Sequence, residues 1–156
     1  MNLVVFELGV SNPFGTSQVK QLITVGSRDL PLYAIRPHLY KHLAPAGSLY
    51  LEVQDANERK IKVSETLAIS AIGSGNYWHG YVRFLIDLSL KANTQYYLAL
   101  RSTGYTYGAS AFVGWCNDFD STKVPRGYST PSSVGVNAPL DLELWTRRKI
   151  TKGAYP

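Results

Sequence analysis

From residue 48 to residue 54 large apolar side chains fall on every second position: Leu49, Leu51 and Val53 share one side, and Ser48, Tyr50, Glu52 and Gln54 the other. A period of two puts alternate side chains on opposite faces of an extended chain, which marks a half-buried strand and not a helix. Asp55, Ala56, Asn57 and Glu58 supply turn-forming side chains, and beyond them Lys60 and Lys62 alternate with Ile61 and Val63. The two runs read as an antiparallel hairpin.

The alternation returns downstream. Over residues 80–88, Val82, Phe84, Ile86 and Leu88 lie opposite Tyr81, Arg83, Leu85 and Asp87; over residues 95–102, Tyr96, Leu98 and Leu100 alternate with mixed neighbours. Further strands are expected at 111–116 and 140–145, and one is expected to begin with Leu67, Ile69 and Ala71. Residues 4–8, 21–25 and 32–40 also look extended, but Pro31 and Pro37 predict an edge strand or a broken one for the third. Gly73, Ser74, Gly75 and Asn76 form a loop, and residues 117–139, punctuated by Pro125, Gly127, Pro131, Gly135 and Pro139, form a long one. About eight to ten short strands without a convincing helix predict an all-β chain, an antiparallel β-sandwich. Leu49, Leu51, Val53, Val82, Phe84, Ile86, Tyr96, Leu98 and Leu100 are its expected core, each contributing on the order of 1.5–3 kcal/mol when buried.

With 156 residues, 45% of them hydrophobic, the chain suits one packed domain. Residues 1–26 are then an arm or an added strand, and residues 147–156 a polar tail. No run of about 18 apolar residues offers a membrane-spanning helix. The start, Met1 to Glu7, lacks the basic stretch and cleavage site of an export signal. One cysteine, Cys116, can close no disulfide within the chain and build no Cys-based zinc site; beside Trp115 it reads as a small packing residue. The formal charge of +5 is spread along the sequence, which reads as solubility and disfavours nucleic acid. Only Arg147, Arg148, Lys149 and Lys152 cluster closely enough to contact phosphate.

Catalytic patterns are missing. There is no Gly-x-Ser-x-Gly elbow, no phosphate loop and no dinucleotide fingerprint. His38 and His42 would share a helix face, but Pro37 and the strand pattern oppose a helix, and zinc needs further converging ligands. His79 reads as a rim residue. Glu143 and Asp141 share one side of a strand, as carboxylates of any solvated strand do. The expectation is a chain without catalytic residues or cofactor. The aromatics placed in loops, Tyr77, Trp78, Tyr105, Tyr107 and Tyr128, are the candidate ligand or interface residues, because a flat ring with a polar tip can stack on a sugar or anchor a protein contact. The alternative is that they only close the ends of the core.

The segments GSLYLEVQD (47–55), YVRF (81–84), LSLKANTQYYLAL (88–100) and FVGW (112–115), with Gly127 and Tyr128 after a loop, resemble a jelly-roll module with a galactose-binding-like β-sandwich. That module occurs in bacteriophage virion proteins and bacterial surface proteins, and the resemblance spans about residues 47–146. It implies a non-enzymatic bacteriophage structural protein, a capsid decoration (cement) protein or a tail or baseplate accessory. Such a protein is assembled in the host cytoplasm and acts through contacts with other virion proteins and with copies of itself. The alternative it implies is a glycan-binding module engaging host surface polysaccharide. Modules of this kind sometimes hold a structural calcium, for which Asn117, Asp118 and Asp120 offer oxygens; Phe119 between them and the missing Gly and Glu of a calcium loop favour an ordinary Asx turn. No fixed catalytic set accompanies the module, so no active residue carries over.

Overall fold

The computed structural model describes residues 5–7, 19–73, 75–108, 111–116, 127–129, 142–146 and 150–152. In chain order the strands are β1 (Val5–Glu7), β2 (Val19–Thr24), β3 (Leu30–His42), β4 (Ser48–Gln54), β5 (Lys60–Val63), β6 (Leu67–Ala68) and β7 (Tyr77–Tyr81). They continue with β8 (Phe84–Leu90), β9 (Gln95–Thr103), β10 (Phe112–Cys116), β11 (Gly127–Ser129), β12 (Leu142–Trp145) and β13 (Ile150–Lys152). Two antiparallel sheets pack face to face as a β-sandwich. The first contains β1, β10, β3, β12, β13, β7 and β8; the second runs β11-β2-β9-β4-β5, with β6 beside β4.

β3 is the spine of the first sheet. β10 and β12 pair with its two halves, as do β7 and β8. The expectation of an edge or broken strand at Pro31 and Pro37 is therefore wrong, and the ladder shows how the prolines fit. Pro37 accepts a 3.0 Å hydrogen bond from the Val82 amide but has no N–H to return. The missing bond falls where β7 ends and β8 begins. Tyr81 pairs with His38 and Phe84 with Ile35, a constant register on either side of the gap. One continuous strand over residues 80–88 is corrected in the same way: Val82 and Arg83 interrupt it opposite Pro37. Pro31 lies near the start of β3, just before a register shift between Leu32 and Ala34.

The second sheet follows the hydrophobic alternation closely. β4 pairs with β5 across the Asp55 turn, where the Asp55 Oδ1 accepts from the amides of Asn57 (2.8 Å) and Arg59 (3.0 Å). β2 is an inner strand between β11 and β9, so the N-terminal stretch contributes strands to both sheets through β1 and β2. The expected strand from Leu67 stops after Ala68, and Ile69–Ala71 forms a 3₁₀ turn closed by the Ile72 amide on the Ile69 carbonyl at 3.0 Å. Three residues per 3₁₀ turn put Ile69 and Ile72 on one side, and both are buried; on a strand they would face opposite ways. Part of the expected polar tail, Ile150–Lys152, is a strand on β12, and Gly127–Ser129 within the expected long loop is a strand on β2. Asn117, Asp118, Asp120, Arg147, Arg148 and Lys149 lie outside the described residues.

One apolar cluster fills the space between the sheets. Leu49, Leu51, Val53, Tyr96, Leu98 and Leu100 enter it from the second sheet; Val82, Phe84, Ile86, Leu39, Trp115, Leu142 and Leu144 enter from the first. Tyr96 is satisfied where it is buried, since its hydroxyl accepts from the Lys91 amide at 3.0 Å. Cys116 is fully buried, and Lys41, also buried, donates its ammonium to the Ile72 carbonyl.

Candidate functional site

Because β3 alternates, the residues between its core-facing positions point away from the second sheet: Arg36, His38, Tyr40 and His42. The register carries the same outward set across the neighbours, with Tyr77 opposite His42, His79 opposite Tyr40 and Tyr81 opposite His38 on β7. Phe112 lies opposite His42 on β10, and Glu143 opposite Arg36 on β12. Nearly every outward position on these strands thus carries a ring or a charged group that meets one.

Rings connect along this face. Tyr107 approaches Phe112 (5.9 Å between centroids), Phe112 stacks on His42 (5.0 Å, 21°), and His42 meets Tyr77 edge-on (4.8 Å, 82°). Tyr40 also contacts Phe112, at 5.9 Å. Farther along, His38 stacks on Tyr81 (5.1 Å, 29°) and its Nε2 lies 2.9 Å from His79 Nδ1. Beside Tyr81 lies a charged node: the Arg36 guanidinium is 5.5 Å from the Tyr81 ring centre and 4.7 Å from that of Trp145. Glu143 accepts from Arg36 Nη1 at 2.9 Å and from Trp145 Nε1 at 2.8 Å. The carboxylate is buried and the guanidinium half-buried, so the two charges meet where water has little access to them.

The five aromatics singled out from the sequence divide. Tyr77 and Trp78 belong to β7 and not to a loop, a correction that follows from β3 reaching as far as His42. Tyr77 points outward and is 67% exposed. Trp78 points inward against the core, its indole lying over Gly73 and Gly80, so it closes the sandwich. Tyr105 is likewise a packing residue, half-buried, with its hydroxyl 3.1 Å from the Val113 amide that donates to it. Tyr107 and Tyr77 cap the two ends of the ring run. Tyr128 pairs with Lys20 through β11, and its side chain lies outside the described residues. Sequence reasoning missed Tyr40, Tyr81, Phe112, Trp145 and the three histidines as one surface. The signal was present in the alternation of residues 36–42 and 77–81, and reading β3 as broken concealed it.

A second polar cluster lies on the outward side of the other sheet. Lys20, only 3% exposed, donates to Glu58 at 2.7 Å and lies 4.8 Å from the centre of the Tyr97 ring. Gln54 donates to Glu52 at 3.0 Å, and Glu52 lies 4.0 Å from Arg101. Opposite charges face each other throughout, so the cluster holds β2, β9, β4 and the Asp55 turn together and is structural.

Among the described residues no three His, Cys, Asp or Glu side chains converge on a metal position, and no helix is long and apolar enough to cross a membrane. Comparison with protein-family models, with curated proteins and with solved structures finds no match. The surface is therefore read from its own chemistry.

Proposed function

We propose that this chain is a non-enzymatic assembly module, a structural component of a bacteriophage virion of the decoration or tail-accessory kind, that docks copies of itself and neighbouring virion proteins through the outer face of the first sheet. One observation carries the reading: the ring run from Tyr107 through Phe112 and His42 to Tyr77, on a rigid sheet, ending in a tyrosine 67% exposed. Aromatic residues and arginine are enriched where protein surfaces meet, and charged residues are depleted at the centre of such patches. Arg36, paired with Glu143, meets the first condition. The virion setting rests on the jelly-roll resemblance, and a charged fraction of 17% accords with surface destined to be covered.

Light scattering of the purified protein over a concentration series tests docking. Association should rise with concentration and be lost in Tyr77→Ser while the circular dichroism spectrum stays unchanged. A protein monomeric at every concentration removes copy-to-copy docking. A second reading, binding of host polysaccharide, is favoured by the ring hydroxyls and imidazoles set beside flat apolar faces, which suit the two sides of a pyranose. Saccharide titration followed by Trp fluorescence separates it: a saturating change absent from Tyr77→Ser supports it, and a flat response rejects it.

A further inference from the structure

Alternate residues of the second sheet turn away from the core, and three of them form one row: Lys20 on β2 pairs with Ala99 on β9, and Ala99 pairs with Glu52 on β4. β2 and β4 are two strand spacings apart, about 9.5 Å. The methyl group of Ala99 leaves that interval open for a long side chain, and Lys20 spans it. Its Nζ lies 2.7 Å from Glu58 Oε1 and 3.5 Å from Oε1 of Gln54, two residues beyond Glu52 on the same strand. Gln54 in turn donates from Nε2 to Glu52 Oε1 at 3.0 Å. Lys20, Gln54 and Glu52 are all buried.

These contacts fix the sense of the carboxamide. Turned over, it would set its N–H groups against an ammonium and its oxygen against a carboxylate, two repulsive contacts in place of two attractive ones. An amine therefore faces the carbonyl of a buried amide, and a carboxylate holds the amide nitrogen. Those are the parts of an acyl transfer. Lys20 is the nucleophile and Gln54 the acyl group; Glu58 stands where it can take a proton from Nζ, and Glu52 where it can hand one to Nε2. The fold replaces a chance encounter of amine and amide by a fixed one, and burial keeps water, the competing acceptor, from the acyl carbon.

We propose that Lys20 and Gln54 join in an intramolecular isopeptide bond, formed with loss of ammonia, that staples β2 to β4 across β9. The Nζ–Cδ bond forms and the Cδ–Nε2 bond breaks, its electron pair staying on Nε2. Of the three protons on the Lys20 ammonium, one remains on the new amide nitrogen and two pass by way of Glu58 and Glu52 to Nε2. The departing group is an ammonium ion, the carboxylates end as they began, and nothing is oxidised or reduced. The link stands apart from the docking reading, since it lies on the other sheet and needs no partner.

Mass spectrometry of the full chain tests it. After purification and incubation at neutral pH, the intact protein should be lighter than its sequence by one ammonia. Trypsin should fail to cut after Lys20, and the digest should contain a branched peptide joining the segment with Lys20 to the segment with Gln54. Lys20→Arg keeps the positive charge beside Glu58 but removes the amine, and should have its full sequence mass. Glu52→Gln should form the branched peptide on the order of a hundredfold more slowly. A wild-type chain, shown to be folded by circular dichroism, that keeps its full mass and yields no branched peptide overturns the proposal. So does an ammonia loss that persists in Lys20→Arg, which would belong to ring closure at an asparagine. The wild-type digest decides the matter even where a variant folds poorly, and an unchanged rate in Glu52→Gln overturns the part given to that carboxylate.

Discussion

Gly73 and Gly75 belong to one loop, both have positive φ (+62° and +88°), and they differ in what a side chain would meet. A Cβ on Gly73 would lie 2.1 Å from Cδ2 of Trp78, whereas one on Gly75 would have nothing within 4 Å. Alanine at either position incurs the left-handed backbone penalty, about 1–2 kcal/mol. At Gly73 it must also displace an indole packed on the core, which adds about 1–3 kcal/mol of overpacking. Gly75→Ala should therefore cost about 1–2 kcal/mol and Gly73→Ala about 2–5 kcal/mol. Urea unfolding followed by Trp fluorescence and circular dichroism measures both, and only Gly73→Ala should alter the native emission. In a Trp78→Ala background the two glycine substitutions should cost nearly the same, because the contact that separates them is gone. If Gly73→Ala and Gly75→Ala agree within about 0.5 kcal/mol in the presence of Trp78, the indole does not press on Gly73 and its assignment to the core fails.

Other substitutions test the core and the charged node. Leu51→Ala, at a fully buried position, should lose about 2–5 kcal/mol in the same unfolding assay. Ile61→Ser, at a position 44% exposed, should stay within about 0.5 kcal/mol of wild type; equal losses would mean that β4 does not face the core as described. Arg36→Ala leaves the Glu143 carboxylate buried without its ion-pair partner and should cost about 3–5 kcal/mol. Arg36→Ala combined with Glu143→Leu should recover much of that loss, and a double variant as unstable as the sum of the single ones would show the two side chains to be independent.

The parts of the fold that the sequence made plain are those in which one face is apolar and the turn is local. The β4–β5 hairpin combines three inward leucine and valine residues with an aspartate able to cap its own turn, so pattern and turn chemistry agree. β9 is equally plain from Tyr96, Leu98 and Leu100. β3 was obscured because proline normally excludes a central strand. Only the pairing register reveals that the missing N–H of Pro37 falls at the gap between two partners. The same obstacle hid the candidate surface. Tyr77 and Tyr107 stood out as loop aromatics, but Tyr40, His42 and Phe112, which join them, became neighbours only through pairing of strands far apart in sequence. The Lys20 cluster left no signal at all, since nothing local distinguishes a lysine destined for burial from one bound for solvent.

β3 also has a consequence for the order in which the molecule is built. One long ribbon is flanked by strands whose residues run from Tyr77 to Trp145. Newly made, it is bare on both edges, exposing hydrogen-bonding groups and Leu39, Ile35 and Leu32 with nothing to cover them. Loop closure across such distances is slow, and an uncovered edge invites pairing with another nascent chain. Translation must pass Leu142 before the last flank can settle, so pausing the ribosome between Cys116 and Leu142 would yield a polypeptide prone to clump.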